Sequence, residues 1–246
     1  MIDLTKGKDS IYPFSFTEID KVFDDETFKK LNEEWPQKYR QTVMGGRNQM
    51  SNSNKNFIQE DYEKWLGNSP TWKKVYNLLN TDETYKALIK HHKQAIDQWD
   101  TSFDDYDLEP ENKKGKLYLH IDWSSAGNKY KREVHADVPR RIINFLIFFN
   151  NKDWEGGDFI VHSSDKIDKF IWNKEKKDHY PVHKVVEAKA NTAFVFASTP
   201  NSFHAVSEQA ITRTPRRFIY GAYTLTKGLA YKSDRPKRYL DETRGV

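Results

Sequence analysis

Cysteine is missing from all 246 residues. That absence excludes disulfides and any zinc site built on thiolates, so nothing points to an oxidising compartment. Long apolar runs are missing too. The longest is "IINFLIFF" (142–149), far short of the ~20 residues that span a bilayer, and it reads as a buried strand. The N-terminus "MIDLTKGKDS" has no apolar h-region, so no secretory signal and a cytoplasmic location are expected. A charge of one sign is also lacking. Forty basic residues face 36 acidic ones, a net charge of +4, too balanced to predict a nucleic-acid partner. The basic tail "KSDRPKR" (232–238) reads as a solvated terminus. No membrane partner is expected.

Aromatics are plentiful. Hydrophobic residues reach only 37% and mean hydropathy is −0.90, but 14% of the chain is Phe, Trp or Tyr. Each large ring buries much area, so a core is feasible under a highly charged surface. The length fits one domain with elaborations.

The first half carries helical spacing. Asp24 or Asp25 can cap a helix bearing Phe28, Leu31 and Trp35, which Pro36 ends. "SPTWKKVYNLLN" (69–80) predicts a second. Thr81 or Asp82 then caps a third, with Tyr85, Leu88, Ile89, His92, Ile96 and Trp99 on one stripe. His91 and His92 are neighbours on that helix, do not share a face, and read as core-edge or surface residues. After the polar connection 104–116 the period changes. Leu117, Leu119, Ile121 and Trp123 alternate with Tyr118, His120 and Asp122, as on a strand. "RIINFLIFFN", "GGDFIVH", "TAFVFAS" and "RFIYGAYTL" continue the series. Short strands separated by turns predict an antiparallel sandwich or jelly roll with a helical N-terminal layer packed on it, an α+β unit.

The motif H-x-D occurs twice, as His120/Asp122 and His135/Asp137. On a strand it aims an imidazole and a carboxylate into one space. A second imidazole from elsewhere would complete a facial set of two histidines and one carboxylate, which suits non-haem Fe(II). His204 in "TPNSFHAVSEQ" is such an imidazole. Arg213, Arg216 and Arg217 stand at the entry to the last strand, and an arginine fork there could hold a dicarboxylate. His162, His179 and His183 have no partners at ligand spacing and read as structural or exposed. Trp154, Gly156 and Gly157 read as a turn, since glycine permits positive φ.

Four pieces in order, "HADVPRRIINFLIFFN", "WEGGDFIVH", "NTAFVFASTPNSFHAVSE" and "RTPRRFIYGAY", resemble the 2-oxoglutarate- and Fe(II)-dependent dioxygenases, in particular the prolyl-4-hydroxylase-like branch. The likeness covers residues 117–225. It is weaker in "FTEIDKVFDDETFKKLNEEWP", which resembles that family's opening strand and helix. It implies a double-stranded β-helix (jelly-roll) core at 116–228, a mainly helical N-terminal part at 1–115, and a basic tail at 229–246, all one catalytic domain. It also selects between the two H-x-D motifs. Trp123, Gly127 and Tyr130 precede His135, and Pro139 with the long apolar strand follows, whereas "WSSAGNK" follows His120. By resemblance, His135, Asp137 and His204 ligate Fe(II), and an arginine binds the distal carboxylate of 2-oxoglutarate. Setting Ile219 at the family's branched-aliphatic position selects Arg216; setting Tyr223 at its aromatic position selects Arg217. Alternation on a strand makes the two exclusive, with Arg216 slightly preferred.

The implied activity couples oxidative decarboxylation of 2-oxoglutarate by dioxygen to hydroxylation of an unactivated C–H bond, with ascorbate as a further reductant. The implied substrate is a peptidyl proline, a free amino acid or a small metabolite. Some halogenating relatives lack the carboxylate, so Asp137 favours hydroxylation; desaturation and ring closure stay open. Tyr118, His120, Trp123, Tyr130 and Trp154 are candidates for lining the substrate cavity. Two other classes compete. A cupin- or lectin-like binding module without redox activity needs none of these residues in this order. A metal-dependent isomerase or hydrolase would use the triad without the arginine.

Overall fold

The protein is described by a computed structural model covering residues 3–39, 41–44, 46–52, 59–97, 117–149, 155–163, 180–210, 214–226, 228 and 230. Twelve strands among them form two antiparallel sheets. The larger is built from β1 (Lys8–Ser10), β2 (Phe16–Ile19), β3 (Thr42–Met44), β4 (Arg47–Ser51), β5 (Leu117–Ala126), β7 (Arg141–Phe148), β10 (Ala193–Ala197) and β12 (Arg216–Leu225). Its order is β1-β2-β10-β7-β12-β5-β4-β3. The smaller contains β6 (Arg132–His135), β8 (Phe159–His162), β9 (Val182–Val186) and β11 (His204–Val206) in the order β6-β11-β8-β9. Two facing sheets of this kind make a jelly roll, with helices laid on the outer face of the larger sheet.

The central strand is the longest apolar run of the sequence. β7 lies between β10 and β12, and every residue after Arg141 is buried. Its alternate side chains serve two cores. Leu146 and Phe148 meet Phe159, Phe194, Phe196 and Phe218 between the sheets. Ile143, Phe145, Ile147 and the following Phe149 face the helices. Gly221 on β12 makes this packing possible, because a Cβ there would sit 2.0 Å from the Phe145 ring.

The helical layer comprises α1 (Asp25–Glu33), α2 (Gln59–Gly67), α3 (Pro70–Leu79), α4 (Asp82–His91) and α5 (Lys93–Asp97). Asp24 caps α1 through the Thr27 amide at 2.8 Å, and Thr81 caps α4 through the Thr84 amide. Both caps were legible as residue types. Ser69 precedes α3 but makes no side-chain cap. The carboxylate of Glu34, from the end of α1, accepts from the Thr71 and Trp72 amides instead, at 3.0 and 3.2 Å. The indoles of Trp65 and Trp72 donate to the Glu34 and Leu31 carbonyls, which ties three helices together. The third predicted helix stops earlier than its stripe suggests, as His92 ends α4 and α5 begins a new turn. Trp99 lies outside the described residues.

The N-terminal part is less purely helical than expected, since it supplies four of the eight strands of the larger sheet. β1 and β4 are polar and β3 is only three residues long, so none carries an apolar alternation that marks it in the sequence. No described helix is long and apolar enough to cross a membrane.

Candidate metal and anion site

His135 ends β6 and His204 begins β11, where the two are paired across the small sheet. Their ring centroids are 4.4 Å apart. Asp137 lies just past the end of β6, so the pair comes from a strand terminus rather than from one regular strand. One ligand atom from each of the three residues lies within 4.8 Å of the others, and among the described residues this is the sole cluster of its kind.

The donor set fits a divalent cation. His135 Nδ1 pairs with the Glu133 carbonyl at 2.7 Å, and His204 Nδ1 with the Ser202 carbonyl at 2.9 Å. Those bonds fix the tautomer with the proton on Nδ1, leaving the Nε2 lone pairs to face the cluster. Burial, then the neighbouring His204, pushes the His135 pKa down to about 3; burial lowers that of His204 as well. Both imidazoles are therefore neutral at physiological pH, as ligands must be. Burial alone would raise the Asp137 pKa, but Arg141 first, then His204 and His135, outweigh it and hold the carboxyl well below the usual range. Arg141 Nη1 donates to Asp137 Oδ1 at 2.6 Å, and Tyr220 Oη to Oδ2 at 3.2 Å. Phe159 and Phe196 pack on the His204 ring at 5.1 and 5.0 Å, giving it an apolar backing.

The inner face of β12 runs from this cluster to a second site. Tyr220, Phe218 and Arg216 follow one another on that face. Arg216 is 1% exposed, and its Nε, Nη1 and Nη2 have no hydrogen-bond partner among the described residues. Its guanidinium lies 4.5 Å from the Phe218 centroid and 5.3 Å from that of Phe148. Burial pushes its pKa down to about 10, so it stays charged. A buried, charged and unpartnered fork is costly unless an anion fills it. Arg217 points the other way. Its Nη2 reaches Gln37 Oε1 and its guanidinium lies 5.9 Å from Trp35, beside a surface pocket of about 330 Å³. Arg213 lies outside the described residues.

The remaining candidates divide by strand face. Tyr118, His120 and Asp122 of β5 face the chamber, and His120 Nε2 lies 3.2 Å from Asp122 Oδ2. Tyr130 is buried there too, with its hydroxyl 3.4 Å from Arg47 Nη1. Trp123 must be corrected: it is 1% exposed and packs on Trp65 at 4.8 Å and Trp72 at 5.8 Å under the helices. It belongs to the apolar set Leu117, Leu119 and Ile121, which alternation sends outward. Trp154 and His179 lie outside the described residues. His162 pairs with the Tyr180 carbonyl and His183 contacts Tyr12 at the surface. His91 and His92 bond Thr17 and Ser15. Arg47, Arg141 and Tyr220 were not anticipated. Tyr220 could have been found by stepping in twos from Arg216, and Arg141 by its place four residues after Asp137; nothing local marks Arg47.

Comparison with known proteins agrees with this arrangement. Residues 105–224 match the family model described as the 2OG-Fe(II) oxygenase superfamily. No curated protein sequence matches the chain. Among solved structures, a 2OG-Fe(II) oxygenase-family oxidoreductase from Burkholderia pseudomallei is 11% identical, covers 89% of this chain and 88% of its own, and has a TM-score of 0.52. The non-haem α-ketoglutarate-dependent epimerase SnoN of nogalamycin biosynthesis is 13% identical over 85% of this chain and 78% of its own, with a TM-score of 0.50. A prolyl 4-hydroxylase of Phytophthora capsici is 14% identical over 85% and 58%, also with a TM-score of 0.50. At these identities the likeness is one of fold, shared by proteins named for different reactions.

Proposed function

We propose that the chain, whose residues 105–224 match the model of the 2OG-Fe(II) oxygenase superfamily, is a hydroxylase that decarboxylates 2-oxoglutarate and inserts oxygen into an unactivated C–H bond. The substrate is a peptidyl proline, a free amino acid or a small metabolite, and residues 1–246 act as one catalytic unit. Fe(II) with 2-oxoglutarate and dioxygen, when bound, supplies the oxidising chemistry.

The residues of the chain bind, orient and exclude water. His135, Asp137 and His204 hold the metal. The two backbone carbonyls on the Nδ1 atoms keep both imidazoles oriented. Arg141 keeps the Asp137 carboxylate ionised and holds it in place, with the Tyr220 hydroxyl, shared with Asn144 Oδ1, beside it. Arg216 takes the distal carboxylate of the cosubstrate. The phenylalanine wall between the sheets keeps water from the chamber. Tyr118, His120 and Tyr130 stand on its wall as contacts for substrate or cosubstrate.

The observation that carries this reading is the buried Arg216 fork with no described partner, in the same chamber as the triad. A jelly-roll hydrolase that uses the triad alone gives that arginine no task, and a binding module that uses the arginine alone gives none to the triad. The test is anaerobic addition of Fe(II) and 2-oxoglutarate. A visible metal-to-ligand charge-transfer band is expected in the wild type and is expected to weaken in Arg216→Met; its absence from the wild type overturns the proposal. Succinate release across peptides, free amino acids and small metabolites, with and without ascorbate, then identifies the substrate class.

A further inference from the structure

The strand row that carries Arg216 carries a second arginine. Arg47 on β4 and Arg216 on β12 are both register partners of Ala126 on β5, one from each side. Directly paired residues share a sheet face. Two long cationic side chains therefore rise into the chamber with a single methyl group between them. They also share neighbours. The Arg47 guanidinium lies 5.8 Å from the Phe218 centroid on which Arg216 packs at 4.5 Å. Arg47 Nη1 reaches the Tyr130 hydroxyl at 3.4 Å, and Arg216 lies 6.0 Å from the same ring. Arg47 Nε is held by Gln49 Oε1 at 2.9 Å.

The two arginines are served unequally by the carboxylates around them. Among the described residues Arg47 has one carboxylate partner at ion-pair distance, Asp122, at 3.4 Å. That is long for a charge-assisted bond, for which about 2.7–2.9 Å is usual. The ion pair with Asp122 serves the half-buried Arg47 and does not reach the fully buried Arg216 beside it. Arg216 feels Asp158 only as a nearby charge and makes no hydrogen bond among the described residues, so its donors stay open to one more carboxylate.

Resting on the reading of this chamber as a 2-oxoglutarate site, we propose that Arg47 is the second arm of the distal-carboxylate site. Arg47, from the β3–β4 hairpin, and Arg216 grip the carboxylate from opposite sides above Ala126, with the Tyr130 hydroxyl as a third donor. Asp122 then competes with the cosubstrate for Arg47. When the cosubstrate wins, Asp122 is left to His120, 3.2 Å away on the same wall, so filling the anion site tightens a pair that faces the substrate.

The test is equilibrium titration of the Mn(II)-loaded protein with 2-oxoglutarate and with pyruvate, which lacks the distal carboxylate. Arg47→Met is expected to weaken 2-oxoglutarate binding by about tenfold or more, the scale of one charge-assisted contact, and to leave pyruvate binding unchanged. Arg47→Lys restores part of the loss. Asp122→Asn, isosteric with the native side chain, is expected to tighten 2-oxoglutarate binding, and no longer to do so in the Arg47→Met background. A purely structural Arg47–Asp122 pair predicts no tightening. The proposal is overturned if Arg47→Met binds 2-oxoglutarate as the wild type does while Arg216→Met does not, or if Asp122→Asn weakens binding. The second result stands as a test even where Arg47→Met fails to fold. A wild type that prefers 2-oxoglutarate no more than pyruvate refutes the underlying reading of the chamber instead.

Discussion

Replacing Arg216 by methionine should make the ligand-free protein more stable while removing its cosubstrate site. The side chain is 1% exposed, and all three of its nitrogens lack partners among the described residues. Burial lowers its pKa from the usual guanidinium range to about 10. That fall corresponds to roughly 3 kcal/mol of unfavourable charge burial, because each pH unit is worth about 1.4 kcal/mol. The cost is present at neutral pH, where the group is still protonated. Methionine keeps an unbranched apolar stem against Phe148 and Phe218 and discards the charge. Part of the gain is lost with the cation–π contacts, each worth about 0.5–2 kcal/mol, so a net stabilisation of about 1–3 kcal/mol is expected. In a chain of this size that raises Tm by roughly 2–10 °C. Calorimetry of metal-free protein measures it. In the same instrument, saturating 2-oxoglutarate with Mn(II) should raise the Tm of the wild type more than that of the variant. A variant that melts below the wild type without ligand refutes the reasoning, since it would mean that the guanidinium has a protein partner holding it in place.

Three further outcomes are expected. Burial, then His91, lowers the His92 pKa from 6.5 to about 4; the unfolded chain takes up a proton as pH falls below 6.5 and the folded chain does not, so stability is lost on acidification, by about 2 kcal/mol between pH 7 and pH 5. Urea unfolding should show a smaller loss in His92→Gln, and an equal loss would exclude His92 as its source. Gly156→Ala should cost about 2 kcal/mol or more by thermal melting, because a Cβ would fall 1.9 Å from the Glu208 carbonyl oxygen at a φ of +70°; a neutral substitution would contradict that turn. Trp123→Leu should destabilise by about 2–4 kcal/mol yet leave 2-oxoglutarate affinity intact in the folded protein, and a selective loss of affinity would return Trp123 to the chamber.

What the sequence disclosed was whatever repeats locally or survives as an ordered series of motifs. Asp24 and Thr81 are visible because a cap is a residue type at a helix start. The strands around 117, 141, 192 and 217 are visible because apolar runs have few other uses. The clustering of His135, Asp137 and His204 was legible through the order of their motifs, while the burial of Arg216 and the exposed contacts of Arg217 depend on which face of β12 meets the second sheet. Face assignment was the weak point. Trp123 is a member of the outward set by its own alternation with Leu117, Leu119 and Ile121, which is at odds with its place among the cavity candidates. The Glu34 cap on α3 and the Arg47 row are long-range pairings. They depend on which strand edge the β3–β4 hairpin joins, and the polar stretch "RNQMS" contains no signal for that.

The placement of Tyr220 and Arg216 on one face of β12 sets a length as well as a chemistry. The two positions are four residues apart on an extended strand, roughly 13 Å between Cα atoms. The strand is hydrogen-bonded along both edges, so that interval cannot stretch, and a slip of one residue would turn both side chains out of the chamber. β12 is in this sense a ruler with the Asp137 contact of Tyr220 at one end and the unpartnered Arg216 at the other. The register of β12 against β5 and β7 therefore decides where along the sheet each of these two side chains is rooted, so the interval between them is a property of the backbone and not of any loop.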